Sequence, residues 1–200
     1  MYKLYGMRDS GNCYKVRLLL NHLDLPCENI ATDILQGETR TDEFLALNPN
    51  GKVPLLICPD GRPLAESNAI LTYLAEGTDY LPEDSYEGAL VFQWLFFEQY
   101  SHERFIATNR FWMHLERSAA THRAQIEANH GPGLAALGVM NDHLAERDFF
   151  VGDRYSIADI ALYAYTHVAD EGGYDLSVFP HVRRWIADVA QQPRHQLMSA

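Results

Sequence analysis

Residues 53–73 constrain the fold most, because this stretch reads as two strands leading directly into a helix. Residues 53–58 are apolar and partly β-branched, which is typical of a buried strand. The Asp60-Gly61 pair is a strong hairpin turn, since both residues accept positive φ at low cost. Residues 64–65 then form the return strand, and a helix begins near Ser67. The stretch therefore predicts an antiparallel hairpin followed by a helix.

Two residues of this stretch indicate a small-molecule site. Pro54 has no amide hydrogen to donate to a sheet, so it belongs at the first residues or the edge of its strand. Where the return strand meets the helix, the hydroxyl of Ser67 and the free amides of the first helical turn form a ready anion site. A pocket for a small anionic group is expected at this junction.

Composition excludes several classes of protein. The chain has 200 residues, 47% of them hydrophobic, which suffices for one domain or two small ones. Its net charge is −11 and no stretch is strongly basic, so nucleic-acid binding is not expected. The N-terminus lacks the apolar core of a signal peptide, and no run reaches the ~18 apolar residues of a membrane span. Three dispersed cysteines argue against a disulfide framework and favour a cytoplasmic protein.

The first part of the chain predicts an α/β domain over residues 1–77. Weak alternation marks a strand at residues 2–5, and apolar spacing marks a helix from Cys13 with Lys15 on its outer side. A second strand at residues 27–32 and a short helix capped by Thr41 precede the hairpin. The order β-α-β-α-β-β-α makes the first two strands parallel and the last two antiparallel, which is a mixed sheet.

The rest of the chain predicts an all-helical domain over residues 85–200, after a turn-rich linker at residues 78–84. Helical patterns cover residues 85–115, 118–146, 156–169 and 180–190. The Gly131-Pro132-Gly133 triplet is expected to kink or break the second of these helices. Ser156 and Asp159 have the spacing of a capping box, in which each side chain binds the other residue's amide.

Taken together, these motifs resemble the cytosolic glutathione transferase family. The resemblance rests on the order and spacing of V-P and E-S, on S-G-N-C-Y-K-V-R before them and on V-G-D-R-Y-S-I-A-D-I-A behind them, and it covers essentially the whole chain. The bacterial branch is the most similar, with a serine-type and a nu- or beta-like class both open. The resemblance implies a thioredoxin-like domain that binds glutathione as co-substrate, a helical domain that shapes the second-substrate site, and a homodimer.

The resemblance also implies which residues hold glutathione. The proline corresponding to Pro54 is cis in the family, which frees the N–H and C=O of Val53 to pair with the cysteinyl part. The Glu66 carboxylate meets the α-ammonium group of the γ-glutamyl end, while Ser67 and the helix N-terminus meet its α-carboxylate. Lys52 is the expected partner of the glycyl carboxylate, and Thr39 is a further candidate there.

Three residues after the first strand could activate the glutathione thiol, which in free form is mostly protonated at neutral pH. Ser10 corresponds to the serine of the serine-type classes and could donate its hydroxyl hydrogen to the thiolate. Asn12 corresponds to an asparagine in a bacterial T-P-N pattern and is also a glutathione contact. Cys13 stands where beta-class members carry a cysteine, although no P-G-A-C run is present. We take Ser10 as the catalytic residue and keep Asn12 and Cys13 as alternatives.

The predicted function is glutathione transfer to a small hydrophobic electrophile, as in detoxification. A glutathione-dependent disulfide oxidoreductase using Cys13 is the alternative enzyme, and a non-catalytic glutathione-binding protein is the alternative outside catalysis. An isomerase or dehalogenase on the same scaffold also stays open. The sequence contains neither H-E-x-x-H nor C-x-x-C, so no metal site and no dithiol pair are predicted.

Overall fold

The structure, a computed structural model, describes residues 1–199 and divides into two compact units. The N-terminal unit comprises residues 1–76 together with 193–199, and the helical unit comprises residues 77–192. The domain limits predicted from the sequence stay predictions. The structure adds that residues 193–199 belong to the N-terminal unit and not to the helical unit.

The N-terminal unit is an α/β layer with the predicted order of elements. Its strands are β1 (Tyr2–Gly6), β2 (Cys27–Ala31), β3 (Leu55–Ile57) and β4 (Pro63–Ala65), and its helices are α1 (Gly11–His22), α2 (Asp42–Leu47) and α3 (Ser67–Ala75). The sheet order is β2-β1-β3-β4. β1 and β2 are parallel, whereas β3 is antiparallel to both of its neighbours. The predicted mixed sheet is confirmed, and the unit is thioredoxin-like.

Local sequence signals account for the starts of the first two helices. Ser10 is the N-cap of α1, and its side chain accepts a hydrogen bond from the amide of Cys13. Thr41 caps α2 as predicted, with its Oγ1 accepting from Phe44 N at 3.2 Å. Each cap satisfies an amide that has no partner inside its helix.

One expectation about α1 is wrong: Lys15 does not lie on an outer face. Its side chain is fully buried, as are the neighbouring Cys13, Tyr14 and Val16. The helix is covered on almost every side, so it has no broad solvent-exposed face on which a lysine could lie.

The helical unit contains only helices and loops between its first and last elements, apart from one isolated bridge between Val151 and Arg154. The α-helices are α4 (Ser85–Phe97), α5 (Arg104–Arg110), α6 (Arg123–His143), α7 (Ile157–Thr166) and α8 (Pro180–Ala190). Two π-helical segments, Glu98–Glu103 and Phe111–Leu115, flank α5. The predicted helix over residues 85–115 is therefore one helical path with two widened turns, and the all-helical prediction is confirmed.

A kink or a break was predicted at the Gly131-Pro132-Gly133 triplet, and the helix does not break there: α6 continues through Pro132. Proline removes one amide donor and leaves the carbonyl of Ala128 without its usual partner, but both residues are exposed to solvent. The adjacent carbonyl of Asn129 accepts a hydrogen bond from Tyr174 Oη at 3.1 Å. A Cβ at Gly133 would lie only 2.4 Å from the Tyr174 ring, so this glycine is needed for the close approach.

The capping box at the start of α7 is confirmed and extends further than the sequence predicted. Asp159 Oδ2 accepts from Ser156 N at 2.9 Å, and the Ser156 side chain caps the helix in return. Asp159 Oδ1 also accepts from Trp185 Nε1 at 2.9 Å and from Phe150 N at 3.1 Å. Burial raises the pKa of Asp159 to about 6, although these hydrogen bonds act in the opposite direction. One carboxylate thus joins α7, α8 and the loop before α7.

Candidate functional site

Three connections of the N-terminal unit leave the sheet at the same edge. Leu55, the first residue of β3, pairs with Tyr5 near the end of β1 and with Ala65 at the end of β4. Since β3 runs antiparallel to both strands, its start lies beside their ends. The turn after β1, the residues before β3 and the start of α3 therefore meet at one edge. These are the segments that carry Ser10, Val53 and Ser67.

The peptide bond between Val53 and Pro54 is cis, the isomer that the resemblance implies. The preceding loop is held by the buried side chain of Asn48, whose Nδ2 donates to Lys52 O at 2.8 Å and whose Oδ1 accepts from Asn50 N at 3.2 Å. Pro54 stands immediately before β3 and has no amide hydrogen to donate. The Lys52 side chain is exposed and free to reach a ligand at this edge.

Glu66 stands directly before α3 with an unusual backbone conformation. Its φ is +69° and its ψ is 113°, which a residue other than glycine rarely adopts. Conformations of this kind cost about 1–3 kcal/mol and are concentrated at functional sites. The Glu66 carboxylate is exposed and accepts from Asn50 Nδ2 at 3.4 Å. The strained backbone thus holds a carboxylate at the same edge as Val53.

Ser67 links α3 to α1 through side chains that the sequence placed in one site. Its hydroxyl donates to Asn12 Oδ1 at 3.0 Å, and the same hydroxyl oxygen accepts from Lys15 Nζ at 3.4 Å. Ser67 and Lys15 are both buried. Asn12 and Ser67, predicted separately, are therefore in direct contact. Lys15 was missed, although an apolar pattern around all sides of α1 already argued against an exposed position.

Ser10 caps α1 through a lone pair of its hydroxyl oxygen. Its Oγ accepts from Cys13 N at 3.3 Å and the residue is half-buried. Accepting through a lone pair does not consume the hydroxyl hydrogen, because a serine hydroxyl has one donor and two acceptor positions. The N-cap role and donation to a ligand are thus compatible.

Cys13 lies in a different environment from the one its position at a helix N-terminus suggested. The residue is fully buried, and burial raises the pKa of its thiol, with the hydrogen bond to Ser10 only partly opposing this. Thiolates are the reactive form of cysteine, so this environment disfavours Cys13 as a nucleophile.

Thr39, the further candidate for the glycyl end, and the strand residue Tyr5 are both packed against neighbouring residues. Thr39 is buried within a short 3₁₀ segment, Glu38–Arg40. Tyr5 packs edge-on against Phe44, with the ring centroids 6.1 Å apart. Both residues contribute to packing on the side of the sheet that carries α2.

Residues 1–199 contain neither a candidate metal site nor a candidate membrane-spanning helix. No group of three or more His, Cys, Asp or Glu side chains there could hold a metal ion. None of the helices in this range combines the length and the apolarity that crossing a bilayer requires.

Comparison with known proteins assigns the chain to a family. Residues 4–79 match the family model of the glutathione S-transferase N-terminal domain, and residues 105–193 match that of the C-terminal domain. A crystal structure of a glutathione S-transferase from Pseudomonas fluorescens is 52% identical, with a TM-score of 0.96 and coverage of 98% of both chains. The chain therefore belongs to the glutathione S-transferase superfamily.

More distant relatives carry different descriptions. The disulfide-bond oxidoreductase YfcG of Escherichia coli is 30% identical over 91% of this chain and 87% of its own. A glutathione transferase from Burkholderia graminis, solved with two glutathione molecules bound per subunit, is 29% identical with a TM-score of 0.83, covering 96% of this chain and 85% of that one. Relatives of this chain thus bind glutathione, and their reactions differ.

Proposed function

We propose that this protein is a glutathione transferase that binds glutathione at the sheet edge of its N-terminal unit and activates the thiol for attack on a small hydrophobic electrophile. The observation that carries the proposal is the hydrogen bond between Asn12 and Ser67, 3.0 Å long, because it brings together the two helix starts that the proposed site requires. Glutathione would act as co-substrate, and detoxification of electrophiles would be the physiological use.

Each end of glutathione has a proposed partner. The exposed Glu66 carboxylate would bind the α-ammonium group, and Ser67 with the first amides of α3 would bind the α-carboxylate. The N–H and C=O of Val53 would pair with the cysteinyl segment as an added strand does. Lys52 would bind the glycyl carboxylate through its exposed ammonium group.

The proposed chemistry places Ser10 next to the sulfur. A donated hydroxyl hydrogen stabilises a thiolate over a thiol and so lowers the thiol pKa. The enzyme would then hold more nucleophile at neutral pH and present it to the electrophile at close range. We assign the role to Ser10 rather than Cys13, since the Cys13 thiol is buried with a raised pKa. Asn12 would contribute by fixing Ser67.

The direct test is glutathione binding measured by calorimetry, followed by turnover of an aryl halide, an isothiocyanate and a mixed glutathione disulfide. Conjugation of either electrophile supports the proposal. Reduction of the disulfide without conjugation would favour the oxidoreductase alternative, which the description of YfcG motivates. Binding without any turnover would favour a non-catalytic glutathione-binding protein.

Replacing Ser67 by alanine is expected to weaken glutathione binding by about ten- to a hundredfold, since a hydrogen bond to a charged group contributes about 1.5–3 kcal/mol. The maximal rate should change little because Ser67 does not contact the sulfur. Thr72→Ala on the same helix is the matched control, because the Thr72 hydroxyl donates within the helix, to Asn68 O at 2.9 Å. Equal KM values for glutathione in wild type and Ser67→Ala would show that Ser67 does not bind glutathione.

We also propose that the protein is a cytoplasmic homodimer. Phe92, Phe96 and Tyr100 recur every four residues along α4 and the π-helical segment after it, and they are 39%, 70% and 73% exposed. Aromatic side chains aligned on one helical face are typical of an interface. Sedimentation should give a dimer that Phe96→Glu weakens and that Val178→Glu, at an exposed position outside this aromatic face, leaves intact. A wild-type monomer would contradict the proposal.

A further inference from the structure

The C-terminal segment of residues 193–199, here called the strap, is tied along the first helix by its main chain. Side chains of α1 contact its carbonyl oxygens: Tyr14 Oη donates to Gln196 O at 2.7 Å, Arg17 Nη2 donates to Met198 O at 3.1 Å, and His22 Nδ1 lies 2.8 Å from Pro193 O. Asn21 and Arg8 bind the carbonyls of Arg194 and Ser199. These contacts to main-chain carbonyls are joined by an ion pair between the Arg194 side chain and Asp24.

Arg17 is the one residue of α1 shown to bind both the strap and the turn before Ser10. Its Nη2 donates to Arg8 O at 2.7 Å, and its Nη1 approaches Met7 O at 3.5 Å. The same Met7 carbonyl accepts from Ser10 N at 3.2 Å and so closes the turn. The planar guanidinium group presents its donors in a fixed fork, which lets it orient several carbonyls at once.

The surroundings of Arg17 restrict its own movement. Its guanidinium carbon lies 6.0 Å from the centroid of the Tyr14 ring, and Tyr14 is fully buried. Met198, whose carbonyl Arg17 binds, is buried as well. The Arg17 guanidinium group lies near the buried Tyr14 ring and binds the carbonyl of the buried Met198. A change in the position of the strap would therefore move Arg17 and, with it, the turn at Met7 and Arg8.

We propose that Arg17, anchored by the strap, is a positioning residue that fixes the turn carrying Ser10 for activation of the glutathione thiol. This inference rests on the proposed function. The turn itself has no regular structure, and displacements of about 1 Å at a reacting group can cost a hundredfold in rate. The C-terminus would therefore contribute to catalysis without touching glutathione.

The test compares Arg17→Lys, Tyr14→Phe and the control Arg62→Lys. Arg17→Lys keeps the positive charge but loses the planar set of donors. Tyr14→Phe removes the hydroxyl that donates to Gln196 O and lies 3.4 Å from His195 Nε2, both in the strap. The control residue is an exposed arginine of the same unit, paired with Asp60 at 2.7 Å. The readouts are hydrogen exchange of residues 7–10, the glutathione dissociation constant, and the pH dependence of kcat/KM with an aryl halide.

Arg17→Lys should speed exchange in the turn, lower kcat/KM at neutral pH about tenfold or more, and move the pH profile upward, with glutathione affinity within about twofold. Tyr14→Phe should change the same quantities less, and Arg62→Lys should change none. A lower melting temperature, with hydrogen exchange of the turn and the pH profile both unchanged, would show that Arg17 only stabilises the fold. That result would overturn the proposal. Wild-type protein without glutathione binding would instead overturn the proposed function, and unchanged exchange in Arg17→Lys would still refute the positioning role.

Discussion

Replacing Ser10 by alanine is expected to lower kcat/KM for glutathione conjugation by about ten- to a hundredfold at neutral pH. The hydroxyl would donate to a charged thiolate, and such hydrogen bonds contribute about 1.5–3 kcal/mol. The pH profile should move upward toward the pKa of free thiols, about 8.5, because the variant no longer favours the thiolate. Steady-state rates across pH measure both effects, and the loss should shrink at alkaline pH.

The structural role of Ser10 requires its own control. Ser10 Oγ caps α1 through Cys13 N, so removing it should also cost about 1 kcal/mol of stability. Ser10→Thr keeps a hydroxyl that can cap the helix and donate, and it should retain more activity than the alanine variant. If Ser10→Ala leaves the profile unchanged while Cys13→Ala abolishes turnover, the assignment passes to Cys13.

Replacing Asp159 by alanine is expected to lower the free energy of unfolding by about 3 kcal/mol or more. The substitution removes the acceptor of Ser156 N, Phe150 N and Trp185 Nε1. All three donors are buried, and each unsatisfied buried donor costs about 1–3 kcal/mol. Urea unfolding at pH 8, where the carboxylate is ionised, measures the loss.

Asp142→Ala is the matched control for Asp159, since Asp142 is an exposed aspartate in the last turn of α6. Its replacement should change stability by no more than about 0.5 kcal/mol. A loss of only about 1 kcal/mol in Asp159→Ala would mean that the helix cap alone contributes and that the bonds from Phe150 and Trp185 add nothing.

The features that sequence reasoning predicted are those encoded over short distances along the chain. The hairpin around Asp60-Gly61 and the cap at Thr41 each depend on residues that are close together in the sequence, and both occur. The capping box at Ser156 and Asp159 is of the same kind. Once the elements are placed, their order also determines which strands are parallel.

The features that sequence reasoning missed depend on contacts between distant residues. The donor from Trp185 reaches Asp159 across 26 positions, and Lys15 reaches Ser67 across 52. The strap binds Arg17 from 181 positions away. No local pattern encodes such pairs, because only the packed fold brings them together. Pro132 is a related case: local propensity predicted a kink or break, but the carbonyl that the proline leaves without a partner is exposed to solvent, and α6 continues.

The most direct measurement is the pKa of the glutathione thiol in the binary complex, followed through the ultraviolet absorbance of the thiolate as pH is raised. We expect wild-type protein to bind glutathione and to lower this pKa by at least one unit from its free value of about 8.5, and we expect Ser10→Ala to bind it with a pKa near that value. Failure to bind glutathione, or a bound thiol that titrates like the free one, would contradict a thiol-activating site at this edge of the sheet.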